Sequence, residues 1–226
     1  MISVEKVSRN YKAGETVVKA LKQVSLQIND GEFLSIAGPS GSGKTTLLNL
    51  IGCIDALDEG EIYIDGKPVT AMGKNEKTIF RRTNLGFIFQ TYNLIPVLSA
   101  YENVAFVLSI LNIAEPEIKE RTYAILKEVG LEGMENRRPN RLSGGQQQRI
   151  AIARALVKHP QIILADEPTA NLDSKTGEDI LKLMKDMNKK YKTTFIFSTH
   201  DQMVMDYADR LVWLHDGNIL RDERRK

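Results

Sequence analysis

The stretch LSIAGPSGSGKTTLLNLI, residues 34–51, decides the fold class of this chain. Its first four residues predict a strand, and its last six residues predict a helix with apolar side chains on one face. Between them, residues 38–45 match the pattern G-x-x-x-x-G-K-[ST]. A strand that runs into a glycine-rich turn and then into a helix is typical of a loop that surrounds phosphate oxygens with backbone N–H groups.

Each residue type in this loop has a physical reason to be there. Glycines leave room for the phosphates because they carry no Cβ, and the following helix directs its positive end at the same anion. Lys44 is expected to pair with the β- and γ-phosphates and to assist catalysis, while the Thr45 hydroxyl ligates Mg²⁺. The predicted phosphate-binding residues are Gly38, Pro39, Ser40, Gly41, Ser42, Gly43, Lys44, Thr45 and Thr46.

Two carboxylates, Asp166 and Glu167, follow directly after the apolar run at residues 162–165. In a doubly wound sheet, ligands bind beyond the carboxyl ends of the strands, so both acids are expected near the nucleotide. Adjacent side chains of an extended segment point to opposite sides. Asp166 is therefore expected to face Mg²⁺, and Glu167 to face the water that attacks the γ-phosphate. The sequence is compatible with two roles for Glu167: accepting a proton from that water, or orienting the water for attack.

A second helix start occurs in LSGGQQQRIAIARAL, residues 142–156. Ser143 is a favourable N-cap, and the apolar spacing that follows it predicts a helix. Helix N-termini bind anions, so the stretch has two interpretations. It is either an ordinary capped surface helix or a second phosphate-binding element.

Strand and helix signals alternate along most of the chain. Strands are predicted at residues 34–37, 61–64, 86–89, 162–165, 194–197 and 210–214, with a tight turn at Asp65-Gly66. Helices are predicted within residues 101–157 and 175–190. This order predicts an α/β fold with a mostly parallel sheet, interrupted by a helical lobe at about residues 91–157.

Composition excludes several classes of function. Of the 226 residues, 42% are hydrophobic and 27% are charged. The 31 basic residues are nearly balanced by 29 acidic ones, so the net charge gives no argument for a nucleic-acid partner. Cys53 is the only cysteine, which excludes an intrachain disulfide, and it is predicted to pack in the core within the helical pattern. We find neither a signal-peptide pattern nor an apolar run long enough to span a membrane.

Together these motifs resemble an ATP-binding-cassette (ABC) ATPase. The phosphate loop, LSGGQ at residues 142–146 and LADEPTANLD at residues 164–173 occur in that family's order. The resemblance to the nucleotide-binding subunit of an ABC transporter extends over nearly the full length. It implies one ABC ATPase domain over residues 1–226, of the P-loop NTPase class. Its nucleotide-binding core is expected at residues 1–90 and 158–226, with parallel and antiparallel β parts, and its helical subdomain at about residues 91–157.

The resemblance also implies roles for residues outside the phosphate loop. Tyr11 is similar to the aromatic residue that stacks on adenine, and Gln90 to the glutamine that reaches Mg²⁺. His200 resembles the switch histidine that contacts the γ-phosphate, and Asp173 ends a loop that faces a second subunit. In LADEPTANLD, Ala170 stands where the subgroup of ABC ATPases that this chain most resembles has glycine.

ABC ATPases form head-to-tail dimers, so the resemblance implies a homodimer with ATP sandwiched at the interface. The LSGGQ residues of one subunit would then act on the nucleotide of the other. They are Ser143, Gly144, Gly145 and Gln146. Metal ligands implied for Mg²⁺ are Thr45, Gln90 and Asp166. The implied cofactors are ATP and Mg²⁺.

The implied function is ATP hydrolysis coupled to a separate integral membrane permease, on the cytoplasmic face of the cell membrane. Residues 90–104 and the stretch LSGGQQQRIAIARAL resemble a subgroup that serves lipoprotein release, macrolide efflux, antimicrobial-peptide resistance and FtsE-type cell-division complexes. This resemblance implies an exporter. The alternative is an FtsE-like ATPase that regulates a membrane protein without transport. Soluble ABC ATPases of DNA repair or translation differ by a long coiled coil or two fused cassettes. A small-molecule kinase would leave LSGGQ, Gln90 and His200 unexplained.

Overall fold

The computed structural model describes residues 1–14 and 16–225. These residues form two compact units, one from residues 1–81 and the chain from Thr194 onward, the other from Arg82–Thr193. In chain order the elements are β1 (Ile2–Ala13), β2 (Thr16–Ile28), β3 (Phe33–Ala37), α1 (Lys44–Ile51), β4 (Glu59–Ile64), β5 (Lys67–Pro68), α2 (Lys74–Asn84), β6 (Leu85–Phe89), α3 (Ala100–Ser109), α4 (Glu115–Glu128), a 3-10 turn (Pro139–Arg141), α5 (Gly144–Leu156), β7 (Ile162–Asp166), α6 (Ser174–Tyr191), β8 (Thr194–Thr199), α7 (Gln202–Tyr207), β9 (Arg210–His215) and β10 (Asn218–Arg224).

The first unit contains an antiparallel sheet and a set of parallel strands. The antiparallel sheet has the order β2-β1-β4-β5, and the turn at Asp65-Gly66 joins its last two strands as predicted. β3 pairs in parallel with β8 on one side and with β9 on the other, and β10 pairs antiparallel with β9. Both β3 and β8 are buried along their whole length, as expected for parallel strands covered on both faces.

Aromatic rings fill part of the core of this unit. The ring of Phe33 on β3 lies 5.6 Å from the ring of Phe195 and 4.6 Å from the ring of Phe197, both on β8. All three side chains are completely buried. Tilted rings at these distances attract one another beyond the gain from burial alone. The pairing of β3 with β8 is therefore fixed by side chains as well as by the backbone.

The second unit combines one pair of parallel strands with most of the helices. β6 pairs in parallel with β7. In the described chain between them lie α3, α4, the 3-10 turn and α5, without a strand. The predicted α/β class, with parallel strands, an antiparallel part and an inserted run of helices, is confirmed. The domain boundaries at residues 90 and 158 stay predictions.

Some elements were not predicted from the sequence, and one residue lies outside the element predicted for it. β1 and β2 were not specified, and their pairing contains several register shifts that interrupt a simple alternation. α2 was not predicted either, and it has no buried residue. Cys53 is buried as predicted, but it lies in the turn after α1 with a φ of 54° and not within a helix. Burial raises the pKa of its thiol.

Among residues 1–14 and 16–225, no helix has both the length and the hydropathy needed to cross a bilayer.

Candidate nucleotide site

The phosphate loop connects β3 to α1, as predicted. Gly43 is the N-cap of α1 with a φ of 102°, a left-handed conformation that glycine adopts without steric cost. A Cβ at Gly43 would lie 2.4 Å from the carbonyl oxygen of Ala20, and one at Gly38 would lie 2.0 Å from that of Leu214. The loop therefore follows a path that no residue with a side chain could take at these two positions.

Lys44 begins α1 and turns its ammonium group back over the loop. Its Nζ atom donates hydrogen bonds to the carbonyl oxygens of Gly38, at 2.8 Å, and Pro39, at 2.9 Å. The side chain is almost completely buried, which places the positive charge within the loop. A buried charge in this position is suited to bind an anion that the loop encloses.

The Ser42 hydroxyl is the second polar group buried in the loop. Ser42 is 1% exposed, and within the described part of the chain its Oγ atom has no hydrogen-bond partner. Buried polar groups are normally paired, so an unpaired hydroxyl in a glycine-rich loop fits a phosphate oxygen as its missing partner. Pro39, Ser40, Gly41 and Thr45 are exposed around it. The loop thus fits the phosphates of a nucleotide.

His200 lies at the same strand edge as the phosphate loop. Thr199, the last residue of β8, pairs with Ala37, the last residue of β3. His200 and Gly38 therefore leave neighbouring strands at the same level, and His200 is exposed. This register brings the predicted histidine to the start of the loop.

Tyr11, the predicted adenine-stacking residue, is held by two charged neighbours. Its hydroxyl donates a 2.6 Å hydrogen bond to Oδ2 of Asp55, and the guanidinium carbon of Arg9 lies 4.8 Å from the ring centroid. Arg9 also pairs with Asp55 at 2.8 Å and with Asp58 at 3.0 Å. The side chain is 36% exposed. Tyr11 thus presents a braced aromatic surface, as a base-stacking platform requires.

The Asp55 carboxylate is ionised in this cluster. Partial burial opposes its charge, but hydrogen bonds from the Tyr11 hydroxyl and the Ala56 N–H, together with the Arg9 charge, hold its pKa below the ordinary value. Asp55 was not predicted from the sequence. It lies 44 residues from Tyr11, and no local pattern connects the two.

In the second unit, Gln90 and the two acids come together at another strand edge. Phe89 at the end of β6 pairs with Asp166 at the end of β7. Gln90 and Glu167 therefore leave adjacent strands at the same level. The backbone carbonyl of Gln90 accepts a 2.9 Å hydrogen bond from the side-chain amide of Asn171.

The expectation that Glu167 continues the extended strand is wrong. β7 ends at Asp166, and Glu167 has a φ of 46°, in the left-handed region that non-glycine residues rarely adopt. The turn that follows is closed by a hydrogen bond from the Ala170 N–H to the Glu167 carbonyl oxygen. Alternation along a strand therefore does not set the direction of this side chain. Ala170 does not adopt a positive φ, so its backbone does not require glycine.

The LSGGQ stretch forms the predicted capped helix start. Ser143 is the N-cap of α5, and its Oγ atom accepts from the Gln146 N–H while Gln146 Oε1 accepts from the Ser143 N–H. This capping box satisfies two N–H groups that the helix itself cannot pair. Gly144 and Gly145 form the first turn, and a Cβ at Gly145 would lie 2.5 Å from Cγ2 of Thr176.

Asp173 caps the helix that follows the two acids. Its Oδ1 atom accepts a 3.0 Å hydrogen bond from the Thr176 N–H at the start of α6. Hydrogen bonds from Thr176 lower the pKa of this exposed carboxyl. Thr176 thus contacts Asp173 on one side and approaches Gly145 on the other, which joins the start of α5 to the start of α6.

Two further residues hold this region together and were not predicted. The buried amide of Gln148 donates to the Pro168 carbonyl oxygen, and Arg154 donates to the carbonyl oxygen of Tyr92, two residues after Gln90. A polar side chain on the apolar face of a predicted helix, as at Gln148, is the signal that could have identified the first. Burial lowers the pKa of Arg154.

Comparison with known proteins identifies the class. A family model for the ABC transporter matches residues 21–170. The chain belongs to the ABC transporter family, and it is an ATP-binding, ATP-hydrolysing subunit of that type. The predicted family and activity are confirmed.

Individual relatives extend this result over the whole chain. The "Uncharacterized ABC transporter ATP-binding protein MJ0796" of Methanocaldococcus jannaschii is 48% identical, over 99% of this chain and 97% of that protein. Structures described as "Dimeric Structure of MJ0796, a Bacterial ABC Transporter Cassette" and as a "post-hydrolysis state" of MJ0796 "bound to ADP and Pi" each superpose with a TM-score of 0.91. They are 48% and 47% identical to this chain, and each match covers 100% of this chain and 99% of the other.

Two further relatives carry names that state a cargo. The "Macrolide export ATP-binding/permease protein MacB" of Escherichia coli is 44% identical over 98% of this chain, which spans 34% of that protein. The "Lipoprotein-releasing system ATP-binding protein LolD" of Bacteroides thetaiotaomicron is 41% identical over 98% of this chain and 100% of that protein. The subgroup predicted from the sequence is supported by these relatives.

Proposed function

We propose that two copies of this chain enclose two ATP molecules in a head-to-tail homodimer and drive a separate membrane permease. The main support for this proposal is the pairing register at the carboxyl ends of two pairs of parallel strands, β3 with β8 and β6 with β7. Thr199 pairs with Ala37 beside the phosphate loop, and Asp166 pairs with Phe89 beside Gln90. In each case the register brings predicted site residues to the carboxyl ends of parallel strands, where ligands of α/β folds bind, and this supports the proposal.

Nucleotide binding begins with the phosphate loop. Its N–H groups and the ammonium group of Lys44 bind the β- and γ-phosphates, and the Ser42 hydroxyl gains a partner. Tyr11, braced by Arg9 and Asp55, stacks on the base. Thr46, in the first turn of α1, completes the phosphate contacts.

The donor set also fits Mg²⁺, which prefers oxygen ligands. The Thr45 hydroxyl, the Gln90 amide oxygen and the Asp166 carboxylate would hold the ion. When bound, Mg²⁺ neutralises charge on the phosphates during transfer.

Hydrolysis is assigned to Glu167 and His200. Glu167 accepts a hydrogen bond or a proton from the attacking water, and His200 contacts the γ-phosphate. The left-handed backbone of Glu167 supports this role, because strained non-glycine residues cluster at functional sites.

The capped start of α5 serves the second subunit. Ser143, Gly144, Gly145 and Gln146 contact the nucleotide bound by the partner, and Asp173 faces the same interface. A two-fold dimer of this kind is isologous, so both ATP molecules are held in equivalent sites. The dimeric MJ0796 structures support this arrangement.

The partner in the membrane is an integral permease, reached through the helices between β6 and β7 and the segment after Gln90. This contact holds the ATPase on the cytoplasmic face of the membrane. The names of MacB and LolD support an export or release system for macrolide- or lipoprotein-type cargo. They favour transport over a purely regulatory, FtsE-like role.

Glu167→Gln tests the hydrolytic assignment. Because a general base contributes about 10²- to 10⁴-fold, turnover should fall by at least about 100-fold while ATP binding persists. ATP-bound dimers should then accumulate and be seen by size-exclusion chromatography. Normal turnover by this variant, or a monomer at saturating ATP, would contradict the proposal.

A further inference from the structure

Gln148 is a buried polar side chain with an unusual position. It lies on the second turn of α5, is 0% exposed, and has the fully buried Ala151 and Ile152 one turn further along the helix. Its Nε2 atom donates a 2.7 Å hydrogen bond to the carbonyl oxygen of Pro168. Pro168 directly follows Glu167, so this amide holds the backbone beside the proposed catalytic carboxylate.

The other end of the same amide is not paired. In the described part of the chain, no donor lies within hydrogen-bond distance of Gln148 Oε1, which is buried. An unsatisfied buried acceptor destabilises the folded state, so an apolar residue would suit the packing of this helix face better. Gln148 makes only one side-chain hydrogen bond in the described part of the chain, to the Pro168 carbonyl oxygen, and leaves its own carbonyl oxygen unpaired. This points to a functional role for that hydrogen bond in addition to packing.

The segment between β7 and α6, residues 167–173, is attached to α5 at two places. Gln148 holds it at Pro168, and Thr176, bonded to Asp173, lies against Gly145 so closely that a Cβ there would be 2.5 Å from Cγ2. The first two turns of α5 and this segment therefore move together. Displacement of the Ser143 cap would be transmitted to the backbone at Glu167.

We propose that Gln148 is a positioning residue that sets Glu167 for hydrolysis according to the position of α5. This inference rests on the proposed function, in which Ser143 contacts the partner's nucleotide and Glu167 acts on the subunit's own. Within each subunit, the Gln148 amide then links the start of α5, which contacts the partner's ATP, to Glu167, which acts on the subunit's own ATP. Glu167 becomes correctly placed only when the start of α5 is held by the second nucleotide.

Gln148→Met tests the inference, since methionine has a similar length and cannot donate the hydrogen bond. A misplacement of about 1 Å at a catalytic group costs up to about 100-fold in rate. We expect kcat to fall by 10- to 100-fold, while mant-ATP binding by the Mg²⁺-free monomer and the KM for ATP stay within about threefold. Gln148→Asn, which keeps an amide one methylene too short, is the second variant and should show the same split.

Asn188→Leu is the matched control. Asn188 is also buried, and its side-chain amide donates a 2.7 Å hydrogen bond to the Thr193 carbonyl oxygen, at the far end of α6 from residues 167–173. It should lower thermal stability by a similar amount and leave kcat within about twofold. If Gln148→Met and Asn188→Leu lose kcat equally, the loss is caused by general destabilisation, and the inference is overturned.

A double substitution separates this inference from the proposal beneath it. If Gln148 acts through Glu167, adding Gln148→Met to Glu167→Gln should not lower the residual turnover further, and the ATP-bound dimer should still form. A further 10- to 100-fold loss would show that the two residues act independently. Normal turnover by Gln148→Met beside an inactive Glu167→Gln overturns this inference alone, whereas normal turnover by Glu167→Gln overturns both.

Discussion

The contacts of Asp55 and Arg9 with Tyr11 lead to a quantitative prediction for Asp55→Asn. The substitution removes the charge that accepts from the Tyr11 hydroxyl at 2.6 Å and that pairs with Arg9 at 2.8 Å. Arg9 retains Asp58, so its charge is not left unpaired. Tyr11 would then have to be immobilised when the base binds, at a cost of about 0.5–1.5 kcal/mol for one side chain.

A cost near 1 kcal/mol corresponds to about fivefold in affinity. We therefore expect Asp55→Asn to raise the KM for ATP about fivefold and to leave kcat nearly unchanged, because the brace acts on binding and not on the reacting phosphate. Steady-state ATPase kinetics and mant-ATP titration of the monomer measure the two quantities separately.

Matched variants make this prediction specific. Tyr11→Phe keeps the ring and removes only the donor, so it should have the same effect, and the double variant should be no worse than either single one. Asp58→Asn removes a partner of Arg9 that does not touch Tyr11 and should change KM by less than twofold. An unchanged KM in Asp55→Asn, or an equal rise in Asp58→Asn, would refute the idea that the carboxylate prepares the ring.

Two further predictions concern the phosphate loop and the α5 cap. Lys44→Ala removes an ammonium group whose charged hydrogen bonds contribute about 1.5–3 kcal/mol each, so ATP affinity should fall at least 10-fold; unchanged titrations would contradict the assignment. Ser143→Arg should block ATP-dependent dimerisation, measured by sedimentation velocity, and leave binding by the monomer within about twofold. Loss of monomer binding would mean that Ser143 serves its own subunit's nucleotide.

Local sequence patterns were sufficient to predict the strands, the loop and the helix start on which the candidate site residues lie. The glycine spacing at residues 38–45 requires a particular backbone path, and the apolar runs before it and before Asp166 can be satisfied only by buried strands. The Ser143 cap was predictable for the same reason, since capping depends on the residues within one turn.

Features that depend on distant contacts were not predictable. The left-handed φ of Glu167 arises in a turn whose next residue is held by Gln148, 20 residues earlier in the chain. Asp55 lies in the connection between α1 and β4, and it reaches Tyr11 only because the fold brings that connection beside β1.

Crosslinking between subunits that each carry one introduced, exposed cysteine tests the shared nucleotide site most directly. Ser40 in the phosphate loop and Ser143 at the α5 cap are both exposed, and the native Cys53 is buried. One Glu167→Gln chain would carry Ser40→Cys and the other Ser143→Cys, and the mixture would be treated with a short bismaleimide. A head-to-tail dimer predicts an ATP-dependent crosslink in the mixture and none with either chain alone. Crosslinks between two copies of the same variant, or none in the mixture despite ATP-bound dimers, would contradict it.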